Sequence, residues 1–211
     1  MNVKHICFDL DGVLINSLGV MEKSWIGCCK ELDIKIEFSE YKKHIGVPFY
    51  DILNVLKIEK ELWEDLKEIY DNISTNSIEE IIKFEGIDLM FNKLESNNIS
   101  YSIFTSKTRK RTTEIINKFF KNRFFEEVVC PEDLGVNKGK PSGAGLDQII
   151  KNNSLIKTEF IYIGDTEFDI QCAQNANVDF LFANWGYGST TKDIKKIDNV
   201  EEFTNLIIRN L

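Results

Sequence analysis

The sequence predicts an α/β protein, a Rossmann-like parallel sheet with helices on both faces that carries an inserted helical domain. Three observations lead there. Short apolar, partly β-branched runs alternate with segments of helical spacing over the second half of the chain. Residues 17–83 interrupt that alternation, with helical spacing and no good strand run. The 211 residues, 43% hydrophobic with only 3 prolines, suffice for a sizeable core and argue against wholesale disorder.

Val3–Phe8 reads as the first strand, ending at Asp9. In the block that follows, Leu53 and Leu56, then Leu62, Leu66, Ile69 and Ile73, recur at helical spacing. GVPFYDIL (46–53) opens one of these helices with Pro48 in its first turn, where the missing N–H is harmless. Strands then fall at Ser100–Phe104, Glu127–Cys130, Glu159–Ile163 and Asp179–Ala183, the last expected to be the final strand. Helices fall between and after them, at Arg109–Phe120, Gly143–Asn152, Thr166–Asn175 and Val200–Arg209. The expected division is a core of 1–16 and 84–211 with a helical domain of 17–83.

Charge and composition narrow the partners. A net charge of −8 disfavours nucleic acid, although one metal ion and one lysine can still create a site for a small anion. No stretch approaches the ~20 apolar residues of a membrane span, and MNVKHICFDL lacks a secretion signal's apolar core. A cytoplasmic protein without membrane partners is expected, as a monomer or homodimer. The five scattered cysteines, with no C-x-x-C pair, fit reduced packing residues. His5 and His44, expected on a strand and a helix, are too few for a zinc cluster.

FDLDGVLINS (8–17) places Asp9 and Asp11 two positions apart at a strand end. Burying such a pair is costly, so it signals a salt-bridged strand end, a metal site or a nucleophile–acid pair. Ligands of open parallel sheets sit at the carboxyl ends of the strands. Thr105, Ser106 and Lys107 follow the second core strand; Lys138 and Lys140 follow the third; Gly164, Asp165 and Asp169 follow the fourth. Carboxylates for a divalent cation, hydroxyls for phosphate oxygens and a balancing lysine thus converge on one rim. Taken singly, each has an ordinary structural explanation: Thr105-Ser106 as a helix cap, Lys140 as a loop lysine, GDTEFD as a turn and cap.

FDLDGVLINS, IFTSK, GKP and YIGDTEFDIQCA resemble, in order and spacing, the four motifs of the haloacid dehalogenase-like hydrolases. The helical block resembles the cap that this family inserts after its first motif, and WGYG (185–188) resembles the end of phosphoglycolate phosphatase-type members. The resemblance implies a phosphatase in which Asp9 is the nucleophile and Asp11 the acid and base. It implies Mg²⁺ held by Asp9, the Asp11 carbonyl and Asp165, with Asp169 a ligand or a supporting partner. Thr105 and Ser106 would hold phosphate oxygens, and Lys140 would neutralise charge between Asp9 and the phosphoryl group. The chain departs from the pattern at Asn16, Ser106 and Asn177, and GKPSGAG lacks a second proline, but no catalytic group is missing.

The expected substrate is a small phosphorylated metabolite, phosphoglycolate-like or a sugar phosphate, with Ser17, Met21, Gly46, Val47 and Arg109 or Lys107 as its candidate contacts. A phosphosugar mutase of the same family is the nearest alternative, but Met21 stands where such mutases carry histidine. A 5′-nucleotidase is a further alternative, and a catalytically idle binding protein would have shed a motif residue. EF-hand and P-loop readings fail on spacing, since Val20 stands at the twelfth loop position and Pro141 follows the lysine of GVNKGKP.

Overall fold

The computed structural model describes residues 3–209; positions 1–2 and 210–211, the outer ends of the expected core, lie outside the described residues. β1 (His5–Phe8) leads through β2 (Ile15–Asn16) into α1 (Leu18–Glu31), α2 (Phe38–Lys42), α3 (Phe49–Val55) and α4 (Trp63–Asn76). β3 (Ile82–Lys83) returns the chain to the sheet, followed by α5 (Ile87–Ser96), β4 (Ser100–Phe104), α6 (Arg109–Phe119) and β5 (Val128–Val129). Then come α7 (Ala144–Asn152), β6 (Phe160–Gly164), α8 (Glu167–Ala176), β7 (Asp179–Ala183), β8 (Lys196–Ile197) and α9 (Val200–Arg209).

Six strands form one parallel sheet in the order β5-β4-β1-β6-β7-β8. β1 is central, with Phe8 in register with Ile103 on one side and Ile163 on the other. Alternation along a strand sends successive side chains to opposite faces. Ile6 and Phe8 join the cluster that holds Phe91, Ile115 and Phe203 of α5, α6 and α9. Cys7 faces the opposite cluster, with Leu146 and Ile149 of α7 and Cys172 of α8. Each fully buried side chain of this size contributes about 1.5–3 kcal/mol to holding the layers together.

Helices α1 to α4 bury a third cluster around Trp25, Cys28, Tyr41, Leu53 and Leu66. Trp25 also donates from Nε1 to the Ile36 carbonyl at 2.9 Å, so its one polar atom is satisfied inside that cluster. The two chain crossings into this helical unit run side by side, because Ile15 pairs with Lys83 and Asn16 with Ile82 in an antiparallel ribbon.

Some expectations need correction. Asp179–Ala183 is not the last strand, since β8 adds beside it; two residues are too few to show a period. The block expected to lack strands also ends in one, the two-residue ribbon strand Ile82–Lys83, which is likewise too short to show a period. His44 lies in a turn beyond α2, which ends at Lys42, and Pro48 caps α3 from outside rather than lying in its first turn. Asn177 ends α8 in the left-handed conformation (φ 52°), the role expected of it in place of glycine.

Candidate active site

Four strand ends meet around Asp9. The Asp9 N–H donates to the Ile163 carbonyl (2.9 Å), which fixes the chain where β1 stops. Its Oδ1 accepts from the Leu10 N–H at 2.7 Å and from Lys140 Nζ at 2.8 Å. Lys140 is fully buried, and its Nζ also stands 2.8 Å from Asp169 Oδ1, above the rings of Phe104 and Tyr162. Burial alone would strip that lysine of its proton, but Asp169 and Asp9 outweigh burial and push its pKa up.

Asp169 is saturated. Oδ1 takes Lys140 and the Tyr162 hydroxyl (2.5 Å), and Oδ2 takes the Thr166 N–H (3.0 Å) and hydroxyl (2.6 Å). Thr166 is the N-cap of α8 and Asp169 its third residue, so one capping box starts the helix and aims the carboxylate. Burial pulls the Asp169 pKa up, but these donors, Lys140 above all, hold it below the usual carboxylate range.

Asp165 is the reverse case. Fully buried, it accepts the Tyr187 N–H on Oδ2 at 2.6 Å, while Oδ1 has no hydrogen-bond partner. Ligand oxygens of Asp9, Asp165 and Asp169 lie within 4.8 Å of one another. Three carboxylates against one ammonium leave two negative charges uncompensated in a buried site. The titration directions report that excess: burial first, then the neighbouring carboxylates, push Asp165 well up and Asp9 to about 7. Hard oxygen donors, an orphaned buried carboxylate oxygen and a charge deficit of two suit a divalent cation such as Mg²⁺. Gly12 belongs to this cradle. At φ 84° it adopts the left-handed backbone, and a Cβ there would stand 2.2 Å from Asp165 Oδ2.

Asp11 sits apart from this cluster. Ser17 Oγ donates to its Oδ1, and Lys107 Nζ stands 3.1 Å from Oδ2. Thr105 hangs at the end of β4, its N–H on the Val129 carbonyl (3.1 Å), and its hydroxyl accepts the Lys107 N–H (3.1 Å). Ser106 Oγ donates to the Gly46 carbonyl at 2.6 Å, joining the β4 rim to the helical unit.

A cleft of about 80 Å³ opens between the strand ends and the helical unit. Asp9, Asp11, Thr105, Ser106 and Lys107 line its floor, while Met21, Gly46, Val47, Phe49 and Tyr70 line the opposite wall. Two candidate contacts fall elsewhere. Arg109 points away, its guanidinium donating to the Val128 carbonyl (2.6 Å) and pairing with Asp133; the arginine at the cleft is Arg111, two positions on. Ser17 does not line the cleft; it is buried against Asp11 and the Tyr187 hydroxyl. The cap read at GDTEFD is present, with Thr166 as its N-cap, but the sequence carries no signal that Thr166 and Tyr162 would both hydrogen-bond Asp169.

A sequence profile described as haloacid dehalogenase-like hydrolase matches residues 6–183. Among similar proteins, pyrophosphatase PpaX of Bacillus cereus is 26% identical over 192 residues, covering 88% of this chain and 85% of that protein. Phosphoglycolate phosphatase of Psychrobacter arcticus is 22% identical over 230 residues, covering 96% and 92%. A hydrolase from Pseudomonas syringae superposes with a TM-score of 0.85 at 20% identity, covering 98% of each chain. With the profile running from β1 to the end of β7 and including all four strand ends, the chain belongs to the haloacid dehalogenase-like hydrolase family.

Proposed function

We propose that this protein is a Mg²⁺-dependent phosphatase that hydrolyses a small phosphate monoester, phosphoglycolate-like or a sugar phosphate, through an aspartyl-phosphate on Asp9. The observation that carries this reading is Lys140, buried and 2.8 Å from both Asp9 and Asp169 beside the orphaned oxygen of Asp165. Such an arrangement lowers the cost of ionising Asp9 next to other carboxylates and draws a transferring phosphoryl group to it.

Asp9, Asp165 and the Asp11 backbone carbonyl would hold the ion. Bound there, it supplies charge to phosphate oxygens and to the two uncompensated carboxylates. Asp169, with four donors on its two oxygens, acts as the brace that holds Lys140 and Thr166. The Thr105 hydroxyl and the Ser106 backbone orient the phosphate. Asp9 attacks phosphorus while Asp11 gives a proton to the departing ester oxygen, and Asp11 then takes a proton from the water that hydrolyses the acyl phosphate.

Residues 17–83 would form a cap over the core of 1–16 and 84–211. The cleft beneath them is small and lined by both units, which suits a small phosphate monoester. Similar proteins named pyrophosphatase and phosphoglycolate phosphatase agree with a small phosphorylated substrate. Met21 on the cap wall offers no proton-relay group, which favours transfer to water over transfer between sugar hydroxyls.

The test is hydrolysis of an aryl phosphate and a panel of phosphorylated metabolites, ranked by kcat/KM, with and without Mg²⁺. Activity should require the metal and should vanish in Asp9→Asn. Turnover that persists in excess chelator or survives that substitution refutes the reading.

A further inference from the structure

The WGYG segment (185–188) lies over this site, yet the mechanism above does not use it. Trp185 donates from Nε1 to the Val13 carbonyl at 3.1 Å, tying the segment to the loop that follows Asp9 and Asp11. A Cβ on Gly186 would stand 2.3 Å from the Asp165 Cβ, so the backbone lies directly on that residue. The Tyr187 N–H then donates to Asp165 Oδ2. The tyrosine side chain runs the other way, packing its ring against the cluster of the helical unit and reaching the 15–17 linker with its hydroxyl.

At that linker the Ser17 N–H donates to the Tyr187 hydroxyl oxygen at 2.6 Å, and the hydroxyl donates to the Ile15 carbonyl at 3.2 Å. Ser17 Oγ, 3.3 Å from the same hydroxyl, donates to Asp11 Oδ1. The chain of contacts is therefore continuous from the tyrosine to one oxygen of Asp11. The other oxygen, Oδ2, is the one paired with the cleft-lining Lys107.

We propose that Tyr187 is a positioning residue for proton transfer by Asp11: its hydroxyl fixes the Ser17 backbone, and Ser17 in turn orients the Asp11 carboxyl toward the leaving oxygen. The proposal rests on the phosphatase reading. In the step concerned, the bond from Asp9 to phosphorus forms, the bond from phosphorus to the ester oxygen breaks, and the proton of Asp11 passes to that oxygen. The alcohol leaves neutral. An alkoxide leaves badly without that proton, whereas an aryl oxide leaves well without it, so misplacing Asp11 penalises alkyl esters selectively. Damage to phosphate binding, to metal binding or to the fold would penalise both alike.

Tyr187→Phe tests this, because it keeps the ring and the N–H to Asp165 and removes only the hydroxyl. The readout is kcat/KM, which stops at phosphoryl transfer, for a two-carbon alkyl phosphate and for p-nitrophenyl phosphate. We expect a loss of about thirtyfold on the alkyl ester and less than about threefold on the aryl ester. Ser17→Ala should reproduce the selective loss, and the double variant should add little to either single change, as for residues in one chain of contacts. Equal losses on the two esters, no loss, or additive losses overturn the proposal. If Tyr187→Phe fails to fold, Ser17→Ala carries the same comparison of esters. A wild-type protein inactive on both esters refutes the phosphatase reading itself, and the proposal with it.

Discussion

His5 offers a quantitative test of how the central strand is buried. Its ring is sealed in the core, stacked on Phe160 at 5.4 Å, with Nδ1 2.6 Å from Ser100 Oγ and Nε2 2.9 Å from Ser102 Oγ. With the Ser100 hydroxyl donating to the Lys4 carbonyl at 3.2 Å, the imidazole proton would sit on Nδ1 and Nε2 would accept from Ser102. A second proton would have to displace the Ser102 hydroxyl and place a charge among apolar neighbours. Burial accordingly lowers the His5 pKa from 6.5 to about 4. Between those values the unfolded chain binds a proton that the folded chain refuses, so stability is full above the unfolded value and falls as pH drops toward the folded one. The loss attributable to His5 is about 2 kcal/mol between about pH 7 and about pH 5, approaching about 3 kcal/mol below about pH 4. In urea unfolding followed by tryptophan fluorescence, that first step lowers the midpoint by about 1 M. Other carboxyls titrate too, so the diagnostic quantity is the difference from His5→Asn, which carries no titrating ring. Identical pH slopes in the two proteins would show that His5 is not held neutral.

The remaining predictions concern the site. Mg²⁺ should raise the melting temperature in proportion to the logarithm of its concentration, and more at alkaline than at acid pH, because protons compete for Asp9 and Asp165; a shift independent of pH would contradict their raised pKa values. Lys140→Met should abolish turnover and cost about 3–5 kcal/mol near neutral pH, since it leaves buried carboxylates without their cation; unaltered urea stability would refute that pairing. Gly186→Ala should lose activity and lower the melting temperature, because its methyl would collide with the Asp165 side chain; a variant with wild-type kinetics would mean that the strap shifts freely. Trp25→Ala should cost about 3–5 kcal/mol in urea unfolding by emptying the centre of the helical cluster; a loss under about 1 kcal/mol would mean that the cluster repacks.

Legibility in the sequence followed length and local chemistry. The four longest core strands are legible as largely apolar runs of four or five residues, and the residues just beyond them mark the rim where Asp9, Thr105 and Asp165 meet. Asn177 is readable because asparagine, after glycine, is the residue that best tolerates the left-handed conformation required there. Two-residue strands such as β3 and β8 carry no period and exist only through pairing. Arg109 and Arg111 were indistinguishable by residue type; which one reaches the cleft depends on the rotation of α6 against α4, where Arg111 donates to the Ser74 carbonyl at 3.0 Å. Tyr187 was hardest to foresee, since its partners lie 170 residues earlier in the chain.

The ribbon of Ile15–Asn16 with Ile82–Lys83 makes the helical unit, topologically, an overgrown hairpin loop. Its two stems leave the sheet as neighbours about 5 Å apart, the spacing that a two-residue turn ordinarily closes. An Asn-Gly turn joining Asn16 to Ile82 would therefore excise the whole unit without stretching the backbone beneath. For the same reason, the unit can lengthen, shorten or be exchanged at little cost in loop-closure entropy, because the ribbon has already brought its ends together. Diversity of substrate and constancy of chemistry can thus evolve on separate parts of one chain, divided at a two-rung ladder.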